Sequence, residues 1–72
     1  MELSMGEKIK IVMKRRKMTY GELADKLGQS RQNLSNKMSR DNFSEKEIRQ
    51  IAEVLNCTFI GTFTLNDTNE TI

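Results

Sequence analysis

The sequence has no histidine and only one cysteine, Cys57, among its 72 residues. Without a Cys/His cluster it cannot assemble a zinc site, and without histidine it cannot assemble a Cys-His or Ser-His nucleophile. A chain this short forms one small domain that buries only about 60% of its unfolded surface, which leaves no room for a large substrate cavity. We therefore expect no enzymatic activity, no metal and no cofactor.

Nothing near Cys57 in the sequence would stabilise a thiolate, so we interpret it as a small core or edge residue.

Long apolar runs are also missing. The longest uninterrupted run is Ile11-Val12-Met13. It is far too short to span a membrane or to form the core of a signal peptide. We therefore expect a cytoplasmic protein.

The charges are divided unevenly along the chain. Residues 1–40 hold ten Lys/Arg and four Asp/Glu, a net charge of +6, whereas residues 41–72 hold two and six, a net charge of −4. A mixed charged surface is usually only a solvated face, but a one-sided excess of basic residues fits a polyanionic partner. The first half is therefore the candidate binding half.

Four segments repeat one pattern, in which Ser or Thr is followed three residues later by Glu or an equivalent. MTYGEL (18–23) and FSEKEI (43–48) match it fully, with a capping box and a hydrophobic staple. LSMGEK (3–8) keeps the capping box but has lysine at the staple position, and QSRQNL (29–34) has Asn33 where the glutamate would stand. Each segment predicts the start of a helix.

Apolar spacing then predicts how far each helix runs. The predicted helices are residues 5 to about 17, 20–27, 31 to about 39, and 45–55. Gly28 suits the left-handed conformation that ends a helix. From Thr58 the period changes: TFIGTFTL (58–65) alternates with a period of two, which predicts a strand, and the residues after it are expected to be frayed.

The segment 21–38 has a small residue, a glycine and a leucine at the spacing that a steep helix crossing requires. Ala24, Gly28 and Leu34 supply these in turn. The spacing predicts a helix-turn-helix unit, whose second helix enters the DNA major groove. The amides and hydroxyls after Gly28 would then face base edges, where Arg pairs best with guanine and Gln or Asn with adenine. The alternative is a small helical bundle with a polar face and no ligand.

The sequence resembles the lambda-repressor and Cro-like helix-turn-helix regulators, also called the xenobiotic-response-element family. The resemblance rests on Ile9 and Val12, on TYGELADKLGQSRQNLS (19–35) and on I-x-x-I-A-x-x-L (48–55). It implies an all-α fold, a compact domain of four to five helices, to which this chain adds a C-terminal β-strand. Together with the period-two pattern of the tail, this gives an expected helix-turn-helix DNA-binding domain at 1–57, a strand at 58–66 that forms a dimer contact, and a frayed tail at 67–72.

The resemblance also implies the DNA contacts. By position, Arg31, Gln32 and Asn36 would contact bases. The implied phosphate contacts are Tyr20, Ser35, Lys37 and Arg40. Tyr20 departs from the family, which usually has a glutamine there.

A second departure concerns two paired positions. Many family members join the first and third helices with an Arg-Glu pair, and here these positions are Met13 and Met38. We expect the two methionines to pack together inside the domain.

The predicted strand needs a partner for its amides and carbonyls, and a second copy of the chain always offers one. We therefore expect a homodimer in which two such strands pair antiparallel; the alternative is a tail that folds back over its own core. The dimer contact residues would be Phe59, Ile60, Phe63 and Leu65.

The favoured function is a sequence-specific DNA-binding transcriptional regulator, a repressor that binds a palindromic operator in double-stranded DNA as a dimer. An antitoxin that also binds a toxin encoded beside it, or a protein-interaction module without DNA binding, remains an alternative. Steep salt dependence would distinguish phosphate-anchored binding from the last of these.

Overall fold

The computed structural model describes residues 2–72. Within them the chain forms four α-helices, and the all-α class predicted from the sequence fits. The helices are α1 (Met5–Arg15), α2 (Tyr20–Leu27), α3 (Arg31–Arg40) and α4 (Glu45–Val54). None of these helices is long and apolar enough to cross a membrane.

The helix starts are where the capping pattern predicts them. Complete capping boxes form at the starts of α1, α2 and α4, where the Ser or Thr oxygen accepts from the backbone N–H of the glutamate and the glutamate carboxylate accepts from the cap backbone N–H. At α3, Ser30 Oγ accepts from the Asn33 backbone N–H at 3.1 Å, while the Asn33 side chain donates instead to Gln29 Oε1 at 2.8 Å. The four starts are therefore confirmed.

The helix ends follow from backbone conformation. Gly28 has φ 72° and ends α2 as predicted. α1 ends at Arg15, two residues earlier than predicted, because Lys17 adopts φ 55° and turns the chain toward α2. α3 ends before Asp41, which also has a left-handed conformation with φ 53°. The short connections keep successive helices close together.

The core is wholly apolar in the part of the chain that the structure describes. It contains Ile9, Met13, Leu23, Ala24, Leu34, Met38, Ile51, Ala52 and Leu55. α2 packs against both α3 and α4, and α1 packs against α3. Met13 and Met38 are both buried in this cluster, 4% and 6% exposed, as the sequence predicts.

The predicted C-terminal β-strand is wrong. Residues 57–63 have no regular secondary structure, and a single antiparallel bridge joins Thr64 to Thr71. Around this bridge Phe63 and Ile72 exchange backbone hydrogen bonds of 2.8 Å, so the end of the chain folds back on itself instead of fraying. A strand requires a neighbouring strand along its whole length, and the chain offers this segment a partner over only three residues. Cys57, expected in the core or at its edge, is exposed.

Candidate nucleic-acid interface

α3 has an apolar inner face and a polar outer face. Leu34 and Met38 are buried, whereas Arg31, Gln32 and Asn36, the three residues predicted to contact bases, are all exposed. Since residues four apart lie on one helix face, the exposed side of α3 forms a strip that a ligand can reach. The three predicted base-contact residues are thus all exposed on one helix, with Gln32 and Asn36 on a shared face and Arg31 at the start of α3.

Two amides on this strip are already aligned with each other. Gln32 Nε2 donates to Asn36 Oδ1 at 3.2 Å. The bond leaves Gln32 Oε1 as an acceptor and Asn36 Nδ2 as a donor for other partners. A paired acceptor and donor is the pattern that matches the major-groove edge of adenine.

The turn before α3 is held by side chains as well as by backbone. Ser30 caps the helix, and the bond from Asn33 to Gln29 ties the first turn of α3 back to the connection. A Cβ placed on Gly28 would meet no atom within 4 Å, so glycine is needed there for its backbone conformation and not for space. The Asn33 side chain is therefore already hydrogen-bonded within the turn. These bonds fix the start of the helix that carries the strip.

The predicted phosphate-contact residues are in different environments. Arg40 is exposed, Ser35 is half-buried, and Tyr20 is half-buried with its ring packed against the core cluster. Tyr20 also lines a shallow groove of about 270 Å³ together with Lys10 and Lys14. The sequence did not point to these two lysines as candidate phosphate contacts, although α1 is visibly basic.

Lys37 has a partner that the sequence does not reveal. Its ammonium group forms an ion pair with Glu47 Oε2 of α4, and both side chains are partly exposed. The other carboxylate oxygen of Glu47 accepts from the Ser44 backbone N–H at 3.1 Å, within the capping box of α4. Lys37 is thus directed toward α4, and a phosphate would have to compete with Glu47 for it.

A second contact missed by the sequence analysis seats α3 against α1. The Gly6 backbone N–H donates to Asp41 Oδ1 at 2.6 Å, across 35 residues of sequence. A Cβ on Gly6 would lie 2.9 Å from the Met38 carbonyl oxygen, which is closer than real Cβ atoms approach. The only hint in the sequence is a glycine in the first turn of a helix. The first turn of α1 therefore sets the position of the end of α3.

Two of the capping glutamates, Glu7 and Glu22, have a lowered pKa. Hydrogen bonds from the Thr19 backbone and side chain lower the pKa of Glu22, and those from Ser4 lower the pKa of Glu7. Glu22 lies in the same first turn of α2 as Tyr20, so its carboxylate opposes a phosphate bound at the start of α2. This feature weakens the phosphate role that the family resemblance implies for Tyr20.

The four predicted dimer-contact residues do not share one environment. Phe59 is half-buried and lines an apolar groove of about 220 Å³ between α1 and α4. Ile60, Phe63 and Leu65 are exposed, by 77%, 79% and 38%. The tail therefore begins on the helical domain and then leaves it.

Comparison with known protein families places the chain in one of them. A family model described as a domain of unknown function (DUF6471) matches residues 4–60, which include all four helices and the start of the tail. No curated protein and no solved structure matches the chain.

Proposed function

We propose that this chain, which belongs to the DUF6471 family, is a sequence-specific DNA-binding regulator of transcription that acts as a repressor. The observation that carries the proposal is the exposed strip of Arg31, Gln32 and Asn36 on α3. Behind it Leu34 is fully buried, and before it the turn at Gly28 joins α3 to α2. This arrangement is what a helix-turn-helix unit requires to place its second helix in the major groove.

The three side chains of the strip offer complementary base chemistry. Arg31 presents five guanidinium donors at the start of α3, suited to the O6 and N7 acceptors of guanine. Gln32, next to Arg31, and Asn36, about one helical turn further on, are already hydrogen-bonded to each other and present an acceptor and a donor. A preferred site would therefore combine guanine with a neighbouring adenine.

Phosphate contacts anchor such a helix without specifying sequence. Arg40 is exposed at the end of α3, and the whole first half of the chain is basic, with a net charge of +6 over residues 1–40. Ser35 and Tyr20 are half-buried, and Lys37 contributes only when it leaves Glu47. The proposal places the protein in the cytoplasm, where operator DNA lies.

A palindromic operator would be bound by a homodimer, because two recognition helices must enter successive major grooves about 34 Å apart. We expect the amount of the protein, or a regulatory protein partner, to control how much of the operator is occupied.

The first test is selection of bound duplexes from a random DNA pool, followed by affinity measurements on the preferred site. Replacing Arg31, Gln32 or Asn36 with alanine should each cost about 1 to 3 kcal/mol on that site and relax the preference at one base position. Gln50→Ala is the matched control, because Gln50 is an exposed glutamine on α4, outside the strip. It should leave affinity and preference unchanged.

Two results would contradict the proposal. The first is a pool that yields no enriched sequence, with weak binding that does not fall steeply as salt rises; this would favour a protein-interaction module. The second is an equal loss of affinity for specific and random DNA in the three strip variants, which would mean that other residues recognise the bases.

A further inference from the structure

The end of the chain forms a small hairpin with one apolar face. Phe63 pairs with Ile72, and Leu65 donates to the Glu70 carbonyl oxygen. Residues directly opposite each other in an antiparallel pair lie on the same face, and alternate residues along a strand return to it. Phe63, Leu65, Glu70 and Ile72 therefore share one face of the hairpin, which is apolar apart from Glu70, while Thr64 and Thr71 occupy the other.

This apolar face is not covered by the rest of the described chain. Phe63 and Ile72 are 79% and 71% exposed although they lie side by side. The molecule measures 43 × 23 × 22 Å, whereas its longest helix, with 11 residues, spans only about 16 Å. Its radius of gyration, 13.7 Å, exceeds the value of about 11 Å expected for a compact chain of this length. The hairpin thus extends away from the helices.

A complementary apolar surface exists on the helical domain. The groove between α1 and α4 is lined by Met5, Ile9 and Val12 on one side and by Ile48 and Ile51 on the other. Phe59 also lines it, so the segment that leads to the hairpin already starts at this groove. The groove has room for further apolar side chains.

We infer that a second copy of this chain covers the hairpin, with the apolar face of each hairpin packed into the α1/α4 groove of the other copy. Charge favours this occupant. Residues 58–72 carry Asp67 and Glu70 and no basic residue, whereas α1 is rich in lysine and Lys8 lines the groove. A twofold exchange would bury both hairpins and both grooves at once.

This contact replaces the pairing of two extended strands that the sequence suggested. It supplies the interface for the dimer of the proposed function, and it rests on that function for its biological role. Its test requires no DNA, so the two ideas can fail separately. A wild-type dimer without DNA binding would remove the function and keep the interface, and a DNA-binding monomer would do the reverse.

The experiment is the mass in solution of the full chain, measured by light scattering and sedimentation over a range of concentrations. Wild type should have the mass of two chains. Phe63→Ser should raise the dissociation constant at least tenfold, and Lys8→Glu should raise it by a smaller factor. Ile11→Ser is the matched control, because Ile11 is an exposed apolar residue of α1 that does not line the groove. It should leave the mass unchanged.

Circular dichroism of each variant checks that the helices remain folded. A wild-type chain that stays monomeric at every concentration would overturn the inference. So would a wild-type chain that binds one different protein and no second copy of itself. A Phe63→Ser dimer as stable as wild type would also overturn it.

Discussion

The starts of α1 and α2 follow the same four-residue pattern. SMGE (4–7) and TYGE (19–22) each form a complete capping box, and each has a glycine at the second position of its helix. Locally the two helix starts are equivalent. In each, a hydrogen bond from the backbone N–H of the cap residue lowers the pKa of the glutamate, Glu7 or Glu22. A local sequence rule alone would assign them the same role.

Their surroundings differ completely. Gly6 is buried against the end of α3, with the Met38 carbonyl oxygen 2.9 Å from the position that a Cβ would occupy. Gly21 is exposed, and the nearest atom to its Cβ position is Oγ1 of Thr19, at 3.9 Å. The same short motif therefore closes a helix–helix contact in one place and only starts a helix in the other. Packing decides which of these a glycine does.

Alanine at the two glycines should separate these roles. Gly6→Ala should lower the free energy of unfolding by about 1 to 3 kcal/mol, because backbone must shift to admit the new methyl group. Gly21→Ala should leave it unchanged or raise it by up to about 1 kcal/mol, because alanine favours the helix. Urea denaturation measures both. Equal effects would mean that α1 does not approach α3 as closely as described.

Asp41 is the other half of the contact at the start of α1. Asp41→Ala should lower the free energy of unfolding by about 1 to 2 kcal/mol, because it removes the acceptor of the Gly6 N–H and places alanine at φ 53°. Asp41→Asn is the matched variant, since asparagine keeps an acceptor and tolerates the left-handed conformation.

Urea denaturation of the two Asp41 variants should rank Asn between wild type and Ala. If Asn and Ala are equally destabilised, the negative charge at the start of α1 carries the effect instead of the hydrogen bond.

The helical part of this fold could be predicted because its determinants are local. A capping box joins residues three apart, and the inward positions of Leu34 and Met38 follow from the helical period. The outward strip of Arg31, Gln32 and Asn36 follows from the same period. These features need no knowledge of what packs against the helix.

The remainder could not be predicted, because it depends on partners that are distant in sequence. The period-two pattern of residues 58–65 fits a strand, but nothing in the sequence says that the chain pairs only Thr64 with Thr71. The Gly6–Asp41 bond and the Lys37–Glu47 pair likewise appear only once the helices are placed. The Lys37–Glu47 pair changes the predicted site, because Lys37 is one of the residues expected to contact phosphate.

The start of α4 gives the same capping box a third environment. Glu47, like Glu22, accepts from its cap residue, but its second oxygen also holds Lys37. Glutamine serves in a capping box as well as glutamate does, so Glu47→Gln should release Lys37 without uncapping the helix. A released Lys37 would be available to a phosphate.

Glu47→Gln should therefore raise the affinity for the preferred duplex by about two- to fivefold, the scale of one partly exposed ion pair. It should also steepen the slope of log K against log salt by about 0.9, as expected for one added phosphate contact. Glu7→Gln is the control for charge alone, because it removes one negative charge from a capping box that holds no lysine, and its salt slope should match wild type. Binding titrations of both variants with the preferred duplex, at several salt concentrations, measure the difference in slope. Equal slopes for the two variants would mean that Lys37 stays away from the phosphates even when Glu47 no longer holds it.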